Sequence, residues 1–202
     1  MTTPTQAQTK LDAVNLMLAS IGQSPVNTLT GTLPKDVNKA VVALDSALRE
    51  VLTQGWSFNS DTEYEMAVDG TSRIAVPSNA LQIDPTYGQD YVPRYDSSVP
   101  AGMFLYDRDN RSFNEFTQSV KVDIVWAYEF EQIPQHARQY VATKAARKFQ
   151  TGIMASAVLH QFTRDDESEA YSTFRRVEKR QKNYNINKHS VAVHRRINPY
   201  RR

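Results

Sequence analysis

The chain has 202 residues, 24 Lys and Arg against 22 Asp and Glu for a formal charge of +2, and no cysteine. That length builds one domain or two small ones. Without cysteine there is no disulfide scaffold, thiolate catalysis, Cys-ligated zinc or iron–sulfur cluster.

Residues 1–6 have neither the basic start nor the apolar stretch of a signal peptide, and no apolar run approaches the ~20 residues that span a bilayer. A soluble, unexported chain without a membrane span is expected. The near-neutral total hides an uneven distribution. Residues 171–202 hold ten Lys or Arg and one acid, Glu178, for a net +9, which leaves −7 on residues 1–170. Such a basic end either meets an acidic partner (nucleic acid, membrane surface or acidic protein groove) or forms a solvated helix and frayed terminus.

In chain order, Leu11, Val14, Leu18 and Ile21 recur at helical spacing, so residues 8–21 read as an amphipathic helix stopped by Gly22. Pro34 and Asp36 then suit the first turn of a second helix of about twenty residues, whose stripe is Val37, Val41, Leu44, Leu48 and Val51 and whose end is Gly55. From Trp56 to Ile133 the period changes to two. Tyr64, Met66 and Val68 alternate with polar neighbours, and Asp69-Gly70 predicts a hairpin turn into a strand over 73–76. Val120–Trp126 is the clearest strand. Residues 107–111 read as a loop between Met103–Tyr106 and Phe113–Phe116, and Pro85, Pro93 and Pro100 argue against central strands nearby. Pro134 opens a third helix, with Ala137, Tyr140, Val141, Lys144, Ala145, Lys148 and Phe149 along one side and a break near Gly152. A fourth runs from about Ala155 to Tyr184. The expected class is α+β. Residues 1–55 and 134–185 contribute helices to one bundle, 56–133 form an inserted small β region, and 186–202 form a basic, flexible, extended arm.

The chain has no Gly-x-Ser-x-Gly elbow, no phosphate loop and no His-Glu-x-x-His. His136, His160, His189 and His194 are scattered, and His136 reads as a partly exposed first-turn residue. Asp165-Asp166-Glu167-Ser168-Glu169 is the densest acidic cluster, but consecutive helical residues point around the whole circumference and cannot converge on one ion. It reads as a solvated stretch, with some acids paired to bases one turn away. Trp56, Phe58 and Trp126 read as core or interface anchors. No catalytic residue, metal site or cofactor is expected.

Three segments together resemble the tail tubular protein A family, the head-to-tail adaptor of short-tailed T7-like bacteriophages. They are Leu11–Leu29, Gly55-Trp56-Ser57-Phe58-Asn59, and Tyr128–Phe149 with Ile133-Pro134 and Val141–Phe149 inside it. The resemblance implies a structural virion protein of the short tail, made in the host bacterial cytoplasm. It implies twelve copies in a ring beneath the portal protein, above the tail nozzle (tail tubular protein B), with a tail fibre or tailspike near that junction. An acidic body suits a channel that passes DNA without specific binding, because like charge repels phosphate. The alternative from another class is a tail-associated cell-wall or polysaccharide hydrolase, which needs paired carboxylates across a cleft. In the arm, apolar and basic residues alternate, which fits an extended segment that lays side chains into pockets or adds a strand to a neighbour, and the resemblance to adaptors implies that Lys188, Arg195, Arg196, Ile197, Tyr200, Arg201 and Arg202 dock on the portal.

Overall fold

The computed structural model describes residues 8–86, 89–98, 101–153 and 157–181. The expected arm, 186–202, lies outside the described residues, as do His189 and His194. The class is α+β: the described residues form four α-helices and two small antiparallel sheets.

Helix α1, Lys10–Ala19, starts at a capping box. Thr9 Oγ1 accepts from the Asp12 backbone N–H at 3.1 Å and Asp12 Oδ2 accepts from the Thr9 N–H at 2.9 Å, so two orphan donors are satisfied reciprocally. The bond from the Thr9 backbone, with that from its hydroxyl, holds the Asp12 carboxyl below its usual pKa. Gly22, at φ 74°, ends the helix in a Schellman turn. Gln23 N–H donates to Leu18 O at 2.9 Å and Gly22 N–H to Ala19 O at 3.0 Å, an arrangement that needs a left-handed residue between helix and loop.

Helix α2, Lys35–Leu52, follows Pro34 and carries Asp36 in its first turn. Its buried residues are Val37, Ala40, Leu44, Ala47, Leu48, Val51 and Leu52. Of the expected stripe, Val37, Leu44, Leu48 and Val51 are therefore core and Val41 is only partly buried, while Ala40, Ala47 and Leu52 complete the buried face.

The β region begins with β1, Ser60–Met66, and continues with β2, Ala80–Pro85, β3, Tyr91–Asp96, β4, Gly102–Asp107, and β5, Val120–Trp126. The three-stranded sheet has the order β1-β5-β2 and the second sheet pairs β3 with β4, all antiparallel. Strand β5 is central, and its buried Val120, Val122 and Ile124 alternate with exposed Lys121 and Asp123, the period-2 pattern of a half-buried strand. Pro85 closes an edge strand and Pro93 sits in a two-stranded sheet, where a missing N–H is tolerated.

The hairpin expected at Asp69-Gly70 does not form. A tight turn is present, since Asp69 Oδ1 accepts from the Thr71 and Arg73 N–H groups at 2.7 and 3.0 Å. It joins no paired strands, however, because β1 pairs with β5, some sixty residues later. Residues 74–76 lie instead against β4, through Leu105 N–H to Ile74 O and Val76 N–H to Met103 O, both 2.9 Å. Alternation identifies a strand but not its partner. Phe113–Phe116 is likewise irregular: Ser112 just before it bridges Asp107 of β4, and the Phe113 ring packs edge-on against Tyr106 with centroids 4.9 Å apart. In β1 the register slips between Asp61 and Tyr64, with Glu63 at φ 55°. Asp123 Oδ1 accepts the Glu63 N–H at 3.0 Å, which satisfies the donor that the bulge turns away from the ladder.

After a 3-10 turn at Phe130–Gln132, helix α3, Gln135–Ile153, runs through Gly152, and α4 spans Ala157–Gln181. Helix α3 is the hub, since α1, α2 and α4 all pack on it. Its Ala137, Val141, Ala142 and Ala145 are fully buried. The helices share one apolar core that includes Met17, Leu44, Phe130, Tyr140 and Phe174, while Met66, Ile74, Leu105, Phe116, Val120, Val122 and Ile124 form a second core under the sheets. Buried Asn59 ties the two. Its Oδ1 accepts from the Trp56 N–H at 2.8 Å, and its Nδ2 donates to Leu52 O at 2.9 Å and Trp126 O at 2.8 Å.

Candidate functional site

Helix α4 is fastened to the body at one aromatic and polar cluster. Phe174 is fully buried, edge-on to Trp56 with centroids 4.4 Å apart, and stacked on Tyr140 and His136 at 5.3 and 5.6 Å. Trp56 is therefore a core anchor, as expected, and its Nε1 donates to Val51 O at 2.7 Å. Glu178, one turn along α4 from Phe174, is buried. Its Oε2 accepts from the Ser57 N–H and Oγ at 3.0 and 2.6 Å, and its Oε1 lies 2.9 Å from His136 Nε2. Burying a carboxylate is tolerable only with partners of this kind.

Ser57, Glu178 and His136 do not make a nucleophile. The serine hydroxyl donates to the carboxylate and the imidazole meets the other carboxylate oxygen, so the carboxylate stands between serine and imidazole and the serine–imidazole–carboxylate order of a triad is not made. The cluster is a clasp between the loop after α2, the start of α3 and the end of α4. His136 is in the first turn, as expected, but carries a partner that its position alone did not disclose. Glu178 and Ser57 went unrecognised. The signal was present: Glu178 is the one acid in residues 171–202 and lies on the same helical stripe as Phe174, where a charge calls for a partner.

The acidic cluster divides. Glu167 pairs with Arg147, whereas Asp165, Asp166 and Glu169 are exposed. Among the described residues no group of three potential metal ligands converges. Tyr140, packed beside this region, has its pKa pushed up to about 12, first by burial and then by the negative charge of Glu167.

Two surface features flank α3. One is a groove of about 880 Å³ between α1, α3 and α4, lined by Leu16, Gln139, Ala146, Asp166, Glu169 and Val177 among others. The other is a shallow face on α2 with Lys35, Lys39, Val42 and Lys148. Leu16 is 45% exposed and Val42 69%, large values for apolar side chains on helices whose other faces are core. Lys148 and Lys144 both reach Glu50, and the hydrogen bond from Lys148 holds the Glu50 carboxyl below its usual pKa. On the β3–β4 sheet, Tyr95 and Met103 are exposed cross-strand neighbours.

Among the described residues these surfaces bring together apolar and charged side chains. Residues 11–184 match the family described as Tail tubular protein. The chain belongs to that family. It is 33% identical over 138 residues to the tail tubular protein A of Klebsiella phage KP34, an alignment that covers 66% of this chain and 67% of the relative. The chain is thus a structural component of a phage tail and of the virion, and the hydrolase alternative is not favoured by such a family. Among the described residues no helix is long and apolar enough to cross a membrane.

Proposed function

We propose that the protein is a head-to-tail adaptor, forming a ring of twelve copies that joins the portal to the tail nozzle and lets DNA pass, with no catalytic role. The observation that carries this reading is the family match over residues 11–184. The charge partition supports it: −7 on residues 1–170 disfavours retention of DNA phosphates in a channel, since counterion-release binding needs cations facing the phosphates. In this reading the helices of 1–55 and 134–185 form the ring-building module, and the β region 56–133 is an insert. Nozzle and fibre or tailspike contacts lie away from the portal side, and the protein is made in the host bacterial cytoplasm before joining the virion.

The basic segment 186–202 docks on the portal, with Arg195, Arg196, Arg201 and Arg202 against acidic residues and Ile197 and Tyr200 in pockets. Many weak arms on one ring add to a stable joint. Electron microscopy of the purified protein, alone and mixed with portal, tests the ring, and a strict monomer in both samples removes it. Deleting 186–202 is expected to leave the circular dichroism nearly unchanged and to abolish portal association. A truncated protein that still joins the portal with full affinity places the docking elsewhere.

A further inference from the structure

We propose that the ring contact seats the Val42 face of α2 from one copy in the Leu16 groove between α1, α3 and α4 of the next. This inference rests on the ring reading and names the surfaces that build it.

Three observations carry it. Among the described residues of the helices, Leu16 and Val42 are the two large apolar side chains that stand well exposed, and each sits in a separate surface feature. The features are complementary in charge. Asp166 and Glu169 in the groove make no ion pair with any described residue, and Arg147 beside them is neutralised by Glu167. On the α2 face Lys35 makes no described ion pair, and Lys39 has only a loose, exposed contact of 3.4 Å with Asp36. Lys35, Lys39 and Val42 follow one another at four- and three-residue spacing, so they share one side of α2. Each face repels itself: groove on groove opposes acids to acids, and α2 on α2 opposes lysines to lysines. Like charges brought together disfavour the isologous dimer and leave the head-to-tail pairing.

The third observation is direction. Gln139 lines the groove and Lys148 lines the other face. Nine residues separate them on α3, two and a half turns at about 3.6 residues per turn, so they point to opposite sides. In a closed ring, successive contacts are turned by a full circle divided by the number of copies, about 30° for twelve, which calls for faces on nearly opposite sides of the subunit.

The natural absence of cysteine makes the test direct. Leu16→Cys, Val42→Cys and the double variant are each assembled with portal and nozzle, then oxidised or bridged with a short bismaleimide, beside wild-type protein imaged in the same mixture. The double variant is expected to give a ladder of covalent multimers on a denaturing gel, and each single variant to stay monomeric. Asp166→Lys/Glu169→Lys in the double-cysteine background should lose the ladder, and adding Lys35→Glu/Lys39→Glu should restore it. Wild-type rings whose double-cysteine counterpart gives no ladder, or single variants that form dimers, overturn this contact and leave the ring reading standing. Wild-type protein that remains monomeric in the mixture ends both.

Discussion

Glu178 and Tyr140 show how single side chains set the strength of the α4 attachment. Glu178→Ala leaves the Ser57 N–H without its acceptor and His136 without its carboxylate. With hydrogen bonds to charged groups contributing about 1.5–3 kcal/mol each, the loss is expected to be about 3 kcal/mol, or roughly 6–12 °C in Tm at this chain length. Glu178→Gln keeps one carbonyl acceptor and should lose less, and calorimetry of both variants checks the order. A Gln variant as damaged as the Ala variant would show that the charge, not the acceptor geometry, holds the clasp. Tyr140 acts at the alkaline end. Its proton is retained in the folded state up to about pH 12, while an unfolded tyrosine ionises near 10. Between these values the unfolded state binds fewer protons, so stability falls as pH rises. Urea unfolding at pH 9, 10 and 11 should show a shallower decline for Tyr140→Phe than for the wild type.

The elements differ in how far the sequence announced them. Helix α2 was legible because Pro34, Asp36, an apolar stripe and Gly55 agree at every level. Strand β5 was legible because it alternates cleanly on a sheet with one buried face. Strand β1 reads as a strand in the sequence but with the wrong partner, since the nearest turn signal, Asp69-Gly70, competes with the central strand β5, whose residues lie far along the chain. Gly55 also fixes how α2 hands over to β1. It has φ 70°, and a Cβ there would lie 3.3 Å from both Ser60 Oγ and Val125 Cγ2. Gly22 has φ 74° but nothing within 4 Å of the added atom. A left-handed L-residue costs roughly 1–2 kcal/mol. Gly22→Ala should lose about that much and Gly55→Ala more, because β5 or Ser60 must also give way. Equal losses in denaturant titrations would mean that the crowding at Gly55 relaxes freely.

At the scale of the whole molecule, the sequence located the class and the uneven charge but not the surfaces. Val42 stands beside the stripe residue Val41, and Leu16 stands between stripe positions on α1, so both are apolar residues on faces that should be polar. That signal becomes interpretable only once α3 is seen to separate the two faces. The groove also depends on α4, which packs chiefly on α3 and is pinned at Phe174. Phe174→Ala removes the ring that Trp56, His136 and Tyr140 surround, a change that typically costs about 3–5 kcal/mol in a packed core. Because β5 and α2 have their own buried contacts, the loss should be local. Amides of α4 are expected to exchange hydrogen faster than in the wild type, while those of β5 and of the middle of α2 keep their order of protection. On the proposed ring contact, a groove with its third wall loosened should no longer accept a neighbour, and a protein that is still folded should not form rings. Uniform acceleration of exchange throughout the chain would instead show that α4 and the body unfold as one unit, and that the clasp supports the whole fold and not the groove alone.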